Sequence, residues 1–183
     1  GRVRAVAFSP DGERVASGGD DGALWIRGVT GHPAPVLLDG RGGAVWSVAF
    51  SPDGRQVVSG HNDGGARVWR AGQPTLFRTS NRLVRGVAFS PDGQRIATTA
   101  SGGAIHLWDQ AGTGRPLELR GHTHSALAVS FTPDGHRLVT AAADGTARVW
   151  DTGGWANPAI LRIPGTVVRD VALSPDGRRV ATA

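Results

Sequence analysis

The 183-residue sequence contains no cysteine, methionine, tyrosine or lysine. Without cysteine there is no disulfide framework, thiolate zinc site, iron–sulfur cluster or cysteine nucleophile. No apolar run approaches the length that spans a bilayer, and no basic-then-apolar leader opens the chain. Membrane insertion is therefore not expected, and a cytoplasmic location is. With no methionine, the chain is expected to be processed or cut from a longer one. The absence of lysine leaves arginine to supply all 20 basic side chains, against 15 acids, for a formal charge of +5. Such a bias points to a GC-rich source genome and need not signal nucleic-acid binding.

What is present is regularly spaced. The 28 glycines and 11 prolines do not mark disorder, because they recur at fixed intervals between apolar segments. The string FSPDG occurs at Phe8–Gly12, Phe50–Gly54 and Phe89–Gly93, FTPDG at Phe131–Gly135 and LSPDG at Leu173–Gly177, with spacings of 42, 39, 42 and 42 residues.

Alignment on the Phe position exposes further slots. Nine residues later lies a hydroxyl: Ser17, Ser59, Thr98, Thr140 or Thr182. Thirteen later lies Asp21, Asp63, Gly102 or Asp144, each followed by glycine. Nineteen later lies Arg27, Trp69, Trp108 or Trp150, and Asp109 and Asp151 follow the last two tryptophans. Nine residues before the Phe position lies Arg41, Ser80, His122 or Pro164, of which only His122 makes a Gly-His pair.

Each repeat reads as four short strands. The first is apolar and β-branched, as in Val45–Phe50. Pro-Asp-Gly then closes a tight turn, with proline presetting φ and glycine accepting φ > 0. A second strand such as Arg55–Ser59, an Asp-Gly turn, a third strand such as Ala66–Trp69 and a looser fourth such as Pro116–Leu119 complete the unit. Amphipathic helices of useful length are absent, so the unit is a four-stranded antiparallel meander.

Repeats of this period, with Gly121-His122, S/T-P-D-G turns, Asp-Gly turns and Trp108-Asp109 and Trp150-Asp151 pairs, resemble the WD-repeat (tryptophan–aspartate) β-propeller family over essentially the whole chain. The resemblance implies an all-β propeller of four-stranded blades. About four and a half blades are expected, near residues 3–38, 45–77, 84–119, 126–161 and, in part, 167–183, in an incomplete ring. It also implies a buried hydrogen-bonded tetrad in each blade. Carried over by slot, His122, Thr140, Asp144 and Trp150 form the complete set. The second repeat keeps Ser59, Asp63 and Trp69, and the third keeps Thr98 and Trp108. In the first, Arg27 occupies the Trp slot, and either Trp25 compensates or the strand shifts register.

The Asp–His–hydroxyl trio also resembles a hydrolase triad. Here, however, the hydroxyl sits mid-strand in every repeat, whereas a nucleophile needs one exposed position beside an oxyanion hole. Most of the 13 aspartates lie in turns or Trp-Asp pairs, leaving Asp20, Asp39 and Asp170 with Glu13 and Glu118. That inventory is poor for paired-carboxylate chemistry. His122 and His124 lack an accompanying carboxylate motif for a metal. No catalytic residue, metal or cofactor is expected. The arginines Arg14, Arg95, Arg137 and Arg179 share one slot, and Arg67 and Arg148 another. They read as solvated strand faces or rims rather than a continuous basic stripe with stacking aromatics, which disfavours nucleic acid.

Meander geometry places the start of the first strand and the Asp-Gly turn at one end of the blade. Four positions before the Phe slot lie Arg4, Trp46, Arg85, Leu127 and Arg169, and before the Asp slot lie Asp20 and Asn62 in the first two repeats, then Ser101 and Ala143. The first set varies chemically on a constant scaffold and includes types enriched at binding hot spots. It reads either as a partner-binding face or as blade-packing and rim residues. The family resemblance implies, as the leading functional reading, a non-catalytic interaction scaffold for a protein or peptide, within a larger bacterial signalling protein. Two alternatives remain: an enzymatic propeller with its site in other blades, and a unit that self-associates through open blade edges.

Overall fold

The computed structural model describes residues 1–31, 34–38, 43–79, 83–153, 157–163 and 165–183. Arg41, Ser80 and Pro164 at the His slot, and also His32 and Asp39, lie outside the described residues.

Among the described residues every regular element is a strand. Blade 1 holds β1 (Val3–Phe8), β2 (Arg14–Gly19), β3 (Leu24–Gly28) and β4 (Val36–Leu38); blade 2 holds β5 (Val45–Phe50), β6 (Gln56–His61), β7 (Gly65–Arg70) and β8 (Gln73–Arg78). Blade 3 holds β9 (Val84–Phe89), β10 (Arg95–Ala100), β11 (Ile105–Asp109) and β12 (Leu117–Leu119); blade 4 holds β13 (Ala126–Phe131), β14 (Arg137–Ala142), β15 (Thr146–Asp151) and β16 (Ala159–Arg162). A partial fifth blade pairs β17 (Val171–Leu173) with β18 (Val180–Thr182). All sheets are antiparallel meanders in chain order. The first strands β1, β5, β9, β13 and β17 pack side by side in that order, forming the inner wall of an open arc. Among the described residues no helix is long and apolar enough to cross a membrane.

The turn chemistry is local and repeats five times. In each S/T-P-D-G turn the hydroxyl donates to the Asp carboxylate two residues on, as in Ser51 to Asp53 and Thr132 to Asp134. The same hydroxyl accepts the backbone N–H five residues on at 2.9 Å. The closing glycines Gly12, Gly54, Gly93, Gly135 and Gly177 have φ of 67–72°, a region a Cβ disfavours. Hydrogen bonding by the hydroxyl holds the pKa of each turn aspartate below the usual carboxylate value.

The core lies between blades rather than within them, since a single sheet has nothing of its own to cover its faces. Blade 2 presents Val58, Ala66, Val68 and Phe77 to Val84, Val87, Phe89, Ile96 and Trp108 of blade 3. Phe77 meets Trp108 edge-on, with ring centroids 5.5 Å apart. Trp69 packs in the same way on blade 1 and Trp150 on blade 3. The outward face of blade 1 is uncovered in the described structure. Phe8 is 65% exposed, whereas Phe89 and Phe131 at the same slot are 9% and 8% exposed.

Strand β3 does not slip: Val15 faces Arg27 just as Val57 faces Trp69. Arg27 is exposed, and its guanidinium lies 5.2 Å from the Trp25 ring centroid. The arginines at the start of the second strand are more than rim residues in two blades. Arg14 Nη2 donates to Gly54 O of the next blade at 2.9 Å, and Arg95 donates to Gly135 O and Thr152 O. In blade 2 the slot is Gln56, and Gln110 of the next blade donates to it at 2.7 Å.

Candidate functional site

Two arrangements gather the polar side chains. One is buried inside the blades and the other lies where the inner strands begin.

In blade 4 a chain of hydrogen bonds crosses the sheet. Trp150 Nε1 donates to Thr140 Oγ1 at 2.8 Å, and Thr140 Oγ1 lies 2.8 Å from His122 Nε2. His122 Nδ1 lies 2.9 Å from Asp144 Oδ2, which also accepts the Thr123 backbone N–H at 3.0 Å. The indole N–H is donor-only, so the consistent assignment has Thr140 donate to Nε2 and Nδ1–H donate to the carboxylate. Burial raises the Asp144 pKa, but bonds from Thr146, His122 and the Thr123 N–H outweigh it and hold the value down to about 2. Burial lowers His122, and the facing Asp144 opposes that shift.

Thr140 is fully buried. Its hydroxyl proton and one lone pair are both engaged within the blade, leaving no exposed oxygen to attack a substrate. The trio therefore lacks the geometry of a hydrolase nucleophile.

Blade 2 reaches a similar chain with a different histidine. Trp69 Nε1 donates to Ser59 Oγ at 2.8 Å, and Ser59 Oγ lies 2.8 Å from Nε2 of His61. Nδ1 of His61 faces the Gly43 carbonyl at 3.3 Å. Asp63 stands apart from this chain. Its carboxylate accepts Arg67 Nη2 at 2.6 Å and the Gly65 N–H at 2.9 Å. In blade 3 the chain among the described residues is shorter: Trp108 Nε1 donates to Thr98 Oγ1 at 3.1 Å, and Gly102 occupies the Asp slot. Slot alignment overlooks His61 because it looks for the ring in the preceding loop. The available signal is strand alternation, which puts residues 59 and 61 on one face.

The second arrangement rests on β-bulges. In blade 2, Val45 pairs with His61 and Ser47 with Gly60, so Trp46 is an extra residue in the inner strand. The same slip isolates Arg4 in β1, Arg85 in β9 and Leu127 in β13. A bulge of this kind breaks the alternation and re-aims a side chain. The turn between the second and third strands shares this end of blades 1 to 4. Backbone N–H groups of Asp20, Asn62, Ser101 and Ala143 donate to carbonyls at or just before the inner strands, those of Arg2, Ala44, Leu83 and Ser125.

Three of the four bulge residues meet. The Arg4 guanidinium lies 3.9 Å from the Trp46 ring centroid and that of Arg85 lies 4.4 Å from it. Arg4 Nε also donates to the Asp20 carboxylate. Trp46 Nε1 and Arg85 Nε are buried without a hydrogen-bond partner among the described residues. Burial, and then the nearby Arg4 charge, lower the Arg85 pKa. Asn62 is exposed at the same end, and Leu127 is half-buried on its own bulge. Arg169 is exposed ahead of β17 and lies outside the described ladder. Among the described residues no three His, Asp or Glu side chains gather into a group suited to hold a metal ion.

Four-stranded sheets arrayed around inner strands define a β-propeller, here with about four and a half blades and no closed ring. The sequence profile of the WD domain, G-beta repeat family matches residues 1–26, 29–70, 74–109 and 115–151, and the chain belongs to that family. Domains of this family generally mediate protein–protein interaction or scaffolding and are typically non-catalytic. No curated protein matches the chain.

Proposed function

We propose that this propeller is a non-catalytic scaffold that binds a protein or peptide on the face carrying Arg4, Trp46, Arg85, Leu127, Arg169, Asp20 and Asn62. The supporting observation is the row of bulges. Four blades use the same backbone irregularity to present arginine, tryptophan or leucine, while the turns around it repeat. Arginine and tryptophan, two of the three residue types most enriched at binding hot spots, occupy adjacent positions there. In blades 2 and 4 the buried tetrad residues make the scaffold rigid, with His122, Thr140, Asp144 and Trp150 on one side and Ser59 and Trp69 on the other. Placement within a larger cytoplasmic, bacterial signalling protein belongs to the same reading and draws on analogy with the family.

The test is selection of a displayed random peptide library on the wild type, followed by binding of the selected peptides to a Trp46→Ala, Arg85→Ala double variant. Peptides that bind the wild type are expected to lose at least about tenfold in affinity, the effect of about 1.4 kcal/mol at a hot spot. Equal binding by a folded double variant would reject this face.

A second reading has its own observation. Val3, Val6 and Phe8 leave an exposed apolar surface on the outward face of blade 1, which suits self-association through open blade faces. Concentration-dependent mass in light scattering that Phe8→Arg abolishes would support it, and a monomeric wild type would reject it.

A further inference from the structure

The polar atoms left over at the Arg4–Trp46–Arg85 stack are all donors. Trp46 Nε1 and Arg85 Nε are buried with no acceptor among the described residues. Unpaired buried donors carry a desolvation cost that an incoming acceptor relieves. The charge is also unbalanced. Arg4 shares its charge with the Asp20 carboxylate, whereas no carboxylate among the described residues pairs with Arg85. A guanidinium held 4.4 Å from an indole centroid is ordered before any ligand arrives, which lowers the entropic cost of engaging a carboxylate.

The same geometry argues against a nucleic acid. Single-stranded nucleic acid is held by stacking bases on aromatic faces, and the Trp46 ring already has two guanidinium groups over it, 3.9 and 4.4 Å from its centroid. Asn62, in the turn bonded to the chain beside β5, and half-buried Leu127, on the bulge of blade 4, add an amide and an apolar side chain, which suits a peptide backbone with mixed side chains.

We infer that the Arg4–Trp46–Arg85 stack is the anchor for an acidic peptide segment, with a partner carboxylate seated against Arg85. This inference rests on the bulge face being the binding face, and adds the chemical class of what it binds.

The test uses ¹⁵N-labelled whole chain titrated with a hexaglutamate peptide and, separately, a hexaglutamine peptide. The Trp46 indole and Arg85 Nε–H signals, assigned with Trp46→Phe and Arg85→Lys, are followed. Hexaglutamate is expected to shift both signals saturably and hexaglutamine neither. Arg85→Gln is expected to weaken hexaglutamate binding by about tenfold. Arg55→Gln, which removes the same charge beside a Pro-Asp-Gly turn, should change it by less than about twofold at 0.15 M salt, where distant charges are screened.

Asp20→Asn covers the case in which Arg85→Gln fails to fold. It frees Arg4 from its carboxylate and is expected to tighten hexaglutamate binding several-fold, a gain that a folding defect does not produce. Overturning results are equal shifts with the two peptides, equal weakening by Arg55→Gln and Arg85→Gln, or unchanged affinity in Asp20→Asn. Equal shifts at Trp46 with both peptides would leave the binding face standing and remove only its acidic preference. Library-selected peptides that bind without moving Trp46 would remove the face itself.

Discussion

His61 Nε2 lies 2.8 Å from Ser59 Oγ, two residues away on the same strand, and supplies blade 2 with the ring that blade 4 takes from the loop residue His122. The two chains run in the same direction, from indole N–H to hydroxyl to imidazole. They end differently: His122 faces the Asp144 carboxylate, whereas His61 faces the Gly43 carbonyl.

That difference predicts a pH dependence. Burial, helped by the Arg67 charge, holds the His61 pKa down to about 4, against about 6.5 in an unfolded chain. As pH falls the unfolded state binds the proton first. The contribution of His61 to stability is therefore complete above pH 6.5, declines between 6.5 and 4, and levels off below that. The loss is on the order of 3 kcal/mol. Burial also lowers His106 and His122, so they act in the same sense. Denaturant unfolding measured from pH 7.5 to 4 should show a shallower decline in His61→Asn than in wild type, and matching slopes would contradict the burial of a neutral ring.

Asp144 and Asp63 occupy the same slot and differ in what holds them. Asp144→Ala leaves His122 Nδ1, the Thr123 N–H and Thr146 without an acceptor, which is expected to cost about 1–3 kcal/mol. Asp63→Ala mainly removes an exposed pair with Arg67 and is expected to cost less than about 1 kcal/mol. Melting midpoints of the two variants compare them directly, and equal losses would contradict the different networks.

Gly103 has φ of +86°, and a Cβ there would lie 2.5 Å from the His122 carbonyl oxygen. Both strain and collision oppose Gly103→Ala, so a loss of about 2–4 kcal/mol is expected. Gly12 has φ of +72° with nothing within 4 Å of the same added atom, so Gly12→Ala should cost only about 1–2 kcal/mol. Chemical denaturation of both variants separates crowding from conformational strain.

The interblade arginines give a final comparison. Arg95 donates to two carbonyls of blade 4, and Arg95→Ala is expected to lower stability by about 1–2 kcal/mol. Arg178 is exposed, and Arg178→Ala should stay within about 0.5 kcal/mol of wild type. Similar effects from the two would place Arg95 on the rim after all.

The meander and its turns were legible because their bonds are local. Among the described residues the Ser51 hydroxyl reaches Asp53 and Gln56 alone, so six consecutive residues suffice to specify the turn. Expected strand Val45–Phe50 coincides with β5, whereas Arg55–Ser59 falls short of β6, which runs on to His61. The arginine clasps were not legible, because Arg14 meets a carbonyl 40 residues away that no spacing within one repeat reveals.

By itself, the sequence determined the period, the four-stranded unit, the five turns and the family, since each depends on short-range chemistry repeated in register. Only the tertiary structure decided that His61 completes blade 2 and that Arg4, Trp46 and Arg85 form one stack. The stack depends on three bulges and on the rotation between neighbouring sheets. Both arise from how twisted strands pack, and neither is written in the spacing of residues along the chain.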